Sequence, residues 1–137
     1  MKPKTILEPI DIENFKDHRG NLDIAELKFV EKFETKRVYY ISDVPEGQTR
    51  GAHGHKELKQ IFFALSGKFE LTVTDGSVFE TVELRAREKG YFLPPGYWRD
   101  LNQFSSDAVC LVLASEHYDE SDYIYSYDEF LRWKNHG

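Results

Sequence analysis

The chain has a single cysteine, Cys110, so no disulfide can form within it. That cysteine lies in an apolar run, Ala108–Ala114, and reads as a small core residue on a buried strand. No apolar stretch approaches the roughly 18 residues of a membrane-spanning helix, and no leading segment has the make-up of a secretory signal. A soluble cytoplasmic protein is the expectation, with no membrane partner. Basic residues are in deficit, with 18 Lys and Arg against 24 Asp and Glu, for a net charge of −6. A sequence pI of about 5.4 argues against broad nucleic-acid binding, though a few local arginines suffice to hold one small anionic ligand. The chain also lacks internal repeats, linkers and low-complexity tracts. Its 137 residues fit one domain, 1–137, long enough to bury a real core.

What is present is aromatic and strand-forming. The composition is 40% hydrophobic and 15% aromatic. Strands are predicted at 23–27, 36–43, 61–65, 68–74, 78–84, 91–93 and 108–114, separated by turns such as Gly20, Asp75-Gly76 and Pro94-Pro95-Gly96. Ile6, Pro9, Ile10 and Ile12 suit an edge strand or an arm reaching a partner subunit. Many short strands at intervals of about 8–12 residues indicate an all-β sandwich or barrel. The tail departs from this pattern. Asp119, Glu120 and Asp122 form an acidic cluster that reads as a solvated surface or a helix start, and Tyr127–Trp133 reads as a short amphipathic helix.

The chain is organised around Gly47–Gly67, centred on Arg50-Gly51-Ala52-His53-Gly54-His55. If that segment is extended, His53 and His55 point to one side, because side chains on a strand repeat every two residues. Two imidazoles so placed serve either as metal ligands or as bases aimed at one small molecule. The spacing resembles the first motif of the cupin superfamily: Gly47, five residues, His53, one, His55, four, Gln60, six, Gly67. The second motif is matched by Pro94-Pro95-Gly96, Tyr97, Trp98 and Arg99. The resemblance implies a cupin jelly-roll, here with a short C-terminal helix. It also implies two further ligands, a Glu and a His, where this chain has Gln60 and Arg99. An amide is a weak ligand, and a guanidinium stays protonated and cannot ligate. The expectation is a cupin pocket with no metal and no cofactor.

A narrower resemblance rests on several blocks together: Arg50–His55, Ser66-Gly67 through Asp75-Gly76, Pro95–Trp98, Phe104–Asp107 with Leu111–Ser115, and Tyr118–Ile124. In order and spacing, from about Arg19 to Phe130, they are similar to the sugar-nucleotide 3,4-ketoisomerases, the WxcM-like cupins. That family converts dTDP-4-keto-6-deoxyglucose to the 3-keto isomer, which is later aminated for surface polysaccharides. The resemblance implies a metal-independent isomerase, a dTDP-linked keto-deoxysugar as partner, and a homodimer with exchanged strands.

Moving a ketone from carbon 4 to carbon 3 requires a base for the carbon-3 proton, delivery of a proton to carbon 4, and proton exchange between the two oxygens. Histidines suit both halves. The resemblance makes His53 and His55 catalytic, with His55 expected at carbon and His53 at the oxygens. A developing enediolate needs donors, and Arg19, Arg99 and Tyr40 are candidates. Arg19 equally suits a surface turn, and either Tyr39 or Tyr40 suits the core, since adjacent strand residues face opposite ways. For the substrate, Arg50 offers a fork to the diphosphate or orients the sugar. Gln60 is expected to bond the substrate or orient a histidine, and Trp98 or a tyrosine such as Tyr39 to stack on sugar or thymine. A 3,5-epimerase, a non-catalytic sugar-binding cupin and a metal-dependent dioxygenase are the alternatives.

Overall fold

In the computed structural model, residues 5–27 and 33–136 are described. Two five-stranded antiparallel sheets lie face to face. The first has the order β1 (Glu8–Ile10), β9 (Gly90–Leu93), β6 (Gln60–Ser66), β11 (Val109–Ala114), β4 (Arg37–Ser42). The second has the order β12 (Tyr123–Ile124), β5 (Arg50–His55), β10 (Trp98–Asn102), β7 (Lys68–Thr74), β8 (Phe79–Arg85). The sheets stay separate, so the jelly-roll is a sandwich rather than a closed barrel. A two-stranded hairpin, β2 (Glu13–Asp17) with β3 (Gly20–Ile24), stands apart from both, and helix α1 (Tyr127–His136) ends the chain.

The core follows from strand alternation. Phe69, Leu71 and Val73 of β7 point inward with no exposure, meeting Phe62, Cys110 and Val112 from the first sheet. The intervening Lys68, Glu70 and Thr72 point away. Strand β6 is buried on both faces, which is why its sequence is a continuous apolar run rather than an alternation. Its outward residues Ile61 and Phe63 are covered by Ile12, Ala25, Leu27 and Phe33.

Two differences from the sequence reading bear on function. The strand expected at 23–27 begins at Gly20 and ends at Ile24, because it pairs in the hairpin, and Ala25 and Leu27 leave it to cover the first sheet. Strands β10 and β12 are not marked by apolar runs. Both are short: β12 forms by pairing with β5, the histidine strand, and β10 by pairing with β5 on one side and β7 on the other.

Candidate active site

Strand β5 sits between β12 and β10, and this neighbourhood builds the site. Arg99 lies directly opposite His53, and Tyr123 directly opposite His55. Residues paired across antiparallel strands share a face, so Arg99, His53, His55 and Tyr123 converge on the inner side of the second sheet. The first sheet closes over them with Tyr39 of β4 and Gln60 of β6. A cavity of about 280 Å³ opens here, bordered by Tyr39, Tyr40, Arg50, His53, Arg99 and Tyr123. A larger cleft of about 720 Å³ adjoins it, and Arg37, Tyr118 and Tyr123 border both.

The glycines of the histidine segment make the packing possible. Gly51 adopts φ +67°, and a side chain there would collide with Nη1 of Arg99. Gly54 lets Phe130 of α1 close against the outer side of β5, where a β-carbon would lie 3.0 Å from the Phe130 ring.

The hydrogen bonds fix both imidazole tautomers. Arg99 Nη2 donates to His53 Nε2 at 2.9 Å, and since a guanidinium only donates, that nitrogen carries the lone pair. His55 Nδ1 is 3.1 Å from Asp122 Oδ2, and a carboxylate only accepts, so Nδ1 carries the proton. His55 Nε2 is buried and has no hydrogen-bond partner among the described residues, an arrangement that costs about 1–3 kcal/mol. The rings meet edge to face, with centroids 4.7 Å apart.

Both histidines are neutral. Burial, then the Arg99 guanidinium and the His55 ring, push His53 down to about 2. Burial, then Arg99 and Arg37, push His55 down to about 3. The Asp122 carboxylate by itself favours an imidazolium at His55, but the ring is only 3% exposed, and desolvation outweighs the pairing.

Tyr39 is the hub of the opposite wall. Its hydroxyl accepts from Gln60 Nε2 at 2.7 Å and from Arg99 Nη2 at 3.0 Å. Those bonds use both lone pairs, so the O–H proton is left to donate into the cavity. Burial raises its pKa, with Arg99 opposing, so the phenol keeps that proton.

Several residues stand elsewhere than the sequence suggested. His53, not His55, is on the cavity wall. Gln60 is 1% exposed and orients Tyr39 rather than a histidine or a ligand. Tyr40 is on the outward side of β4, 70% exposed at the cavity rim. Trp98 lies outside the cavity: β10 alternates, and with Arg99 turned inward the indole packs on Tyr127 and Phe130 under α1. Arg19 sits at the tip of the free hairpin, paired with Asp17 at 2.6 Å and absent from the cavity wall of its own chain. Arg50 is exposed at the cavity border and has no ion pair among the described residues.

Sequence reasoning passed over Asp122, Tyr123 and Arg37. Asp122 belongs to the acidic cluster expected at the surface. Instead Asp119 caps the short helical turn Glu120–Asp122, which carries Asp122 under β5 until it is 12% exposed. The signal for Tyr123 was its place beside that cluster. Arg37 carried no signal beyond being a cation in a strand.

Among the described residues no group of three or more His, Cys, Asp or Glu is placed to hold a metal ion. In the positions where cupins carry a Glu and a His ligand, Gln60 is engaged by Tyr39, and Arg99 sets a cation against the lone pair of His53. This donor set does not fit a divalent metal.

The jelly-roll and its inward histidine pair define a cupin. Residues 6–135 match the family described as "FdtA: WxcM-like, C-terminal", and the chain belongs to that family. It is 40% identical over 123 residues, 88% of either chain, to TDP-4-oxo-6-deoxy-alpha-D-glucose-3,4-oxoisomerase of Aneurinibacillus thermoaerophilus. A 3,4-ketoisomerase from Helicobacter canadensis superposes with a TM-score of 0.86 at 39% identity, covering 94% of this chain and 97% of the other. The 3,4-ketoisomerase QdtA of Thermoanaerobacterium thermosaccharolyticum, as a variant bound to TDP-4-keto-6-deoxyglucose, superposes with a TM-score of 0.88 at 34% identity, covering 98% and 97%.

Proposed function

We propose that this protein is a 3,4-ketoisomerase that converts dTDP-4-keto-6-deoxyglucose to a dTDP-3-keto-6-deoxyhexose without a metal, in a route to 3-amino-deoxysugars of surface polysaccharide. The observation that carries this is that a neutral His53 and a protonated Tyr39, both bonded to Nη2 of Arg99, stand together on the wall of one cavity of about 280 Å³. His53 takes the proton from carbon 3, made acidic by the adjacent ketone, and returns it to carbon 4 of the enediolate. This reverses the expected division of labour, because His53 is the ring on the wall. Arg99 turns from His53 to the developing oxyanion, which frees Nε2 and places positive charge where the negative charge forms. Tyr39 donates its proton to the same oxygens, and the Nε2 of His55, covered in the resting site, serves the hydroxyl protons once Arg99 has moved. Arg50, exposed at the mouth, holds the diphosphate.

The working unit is a homodimer with exchanged strands. Hairpin β2–β3 exposes Phe15 at 55% and Leu22 at 58%, with no sheet of its own to join. Strand β4 is a sheet edge, beside which Val38 and Tyr40 are 55% and 70% exposed. A two-stranded ribbon alone is marginal in water, and an open edge is a template for pairing, so each supplies what the other lacks. Exchange of the hairpin carries Arg19 to the partner subunit's cavity, where it joins Arg99. A cytoplasmic location accords with one buried cysteine and no internal disulfide.

The test is proton NMR of dTDP-4-keto-6-deoxyglucose with chelator-treated protein in deuterated water. A 3-keto product is expected. Exchange at carbon 3 or 5 with the ketone left at carbon 4 would indicate an epimerase, and binding with no exchange would remove the catalytic reading.

A further inference from the structure

We propose that Asp122 is a positioning residue of the reaction: by accepting the Nδ1 proton of His55 it fixes that ring in the tautomer whose Nε2 is a bare acceptor. The carboxylate is itself locked. Its Oδ1 accepts from the Glu57 backbone N–H at 2.6 Å, while Oδ2 meets His55 Nδ1 at 3.1 Å. The Lys56 N–H also bonds the Asp122 carbonyl at 3.2 Å, which ties the turn before β12 to the end of β5. With both oxygens engaged, the carboxylate is held against rotation away from the ring. The unpartnered Nε2 is therefore a consequence of how Asp122 is held. Among the described residues this is the one hydrogen bond that either ring nitrogen of His55 makes.

The consequence reaches His53 as well. With the proton of His55 committed to Asp122, the two rings differ in what their lone pairs do. That of His53 faces Arg99 and is released only when the guanidinium moves, while that of His55 is engaged by no donor among the described residues but is covered in the resting site. Two identical side chains on one strand are thereby made into one base engaged by a cation and one that is unengaged but covered. The catalytic part of this rests on the ketoisomerase reading, but the tautomer does not.

The test is Asp122→Asn. The amide must put its oxygen where Oδ1 was, to keep the Glu57 N–H, and this turns its NH2 toward His55 Nδ1. That nitrogen then has to accept, and the ring proton moves to Nε2. Nitrogen-15 NMR of the imidazoles is expected to show His55 protonated at Nδ1 in the unsubstituted protein and at Nε2 in the variant. Turnover is expected to fall about 100-fold or more with KM changed by less than about threefold, because an acceptor for a substrate proton is lost while the cavity walls stay in place. Asp122→Glu restores an acceptor and is expected to recover both the tautomer and part of the turnover. A His55 protonated at Nε2 in the unsubstituted protein overturns the proposal by itself, whether or not any variant folds. So does a shifted tautomer in Asp122→Asn with turnover intact. Failure of the unsubstituted protein to isomerise the sugar counts instead against the function, and leaves the tautomer result to stand alone.

Discussion

Gln60 and Tyr39 meet at 2.7 Å over the inner face of β11, the amide nitrogen donating to the phenolic oxygen. Because Arg99 takes the other lone pair of that oxygen, the Tyr39 proton has one direction left, into the cavity. Tyr39→Phe is expected to lower kcat by about 100-fold or more, the usual scale for loss of one oxyanion donor. It also strands two donors and should lower stability by about 1–3 kcal/mol. Steady-state kinetics and thermal unfolding on the same preparation measure both. Unchanged turnover would remove Tyr39 from the chemistry.

The pH dependence of stability has a definite sign. Both histidines are depressed from 6.5, to about 2 and about 3, so the folded state binds fewer protons than the unfolded chain in mild acid. Their contribution is fully present above about pH 6.5 and is lost progressively as pH falls toward 3. The melting temperature is expected to drop between pH 7 and 4, and His53→Asn should flatten that drop. A melting temperature constant over this range would show that the rings are not neutral and buried as described.

Trp98→Ala separates packing from binding. The indole supports α1 through Tyr127 and Phe130, so its removal is expected to cost about 2–4 kcal/mol in stability. KM at a permissive temperature should stay within about threefold of the unsubstituted value, since removal of packing at a distance is not loss of a substrate contact. A tenfold rise in KM with stability intact would put the ring back at the substrate.

Strand exchange predicts complementation. Arg19→Ala and His53→Asn homodimers should each be inactive. Co-expressed, they form mixed dimers in which one cavity has both His53 and the partner-supplied Arg19. About a quarter of normal activity is expected from random pairing. No recovery in a verified mixed dimer would show that Arg19 does not cross between subunits.

The sequence made some of this legible for simple reasons. Phe69, Leu71 and Val73 alternate because β7 is buried on one face, and His53 and His55 share a side because β5 is a strand. The positions of Gln60 and Arg99 came from spacing, which a loop of fixed length preserves. What they touch was not readable, since Gln60 reaches Tyr39 across an intervening strand and Arg99 reaches His53 through β-pairing. Trp98 was misplaced by one step of alternation: its neighbour Arg99 took the inward side. Asp122 was hidden for a different reason, because an acidic cluster looks solvated until a helical turn carries one member beneath a strand.

The empty space at Gly51 is guarded from two sides at once. Any residue larger than glycine there evicts the guanidinium of Arg99. A shorter residue at 99 would lift that collision but not the backbone demand, because φ +67° favours glycine whatever the space around it. Drift at position 51 is therefore closed on two independent counts, whereas position 99 is free to shorten without any answering change. A library that diversifies position 99 should leave glycine at 51.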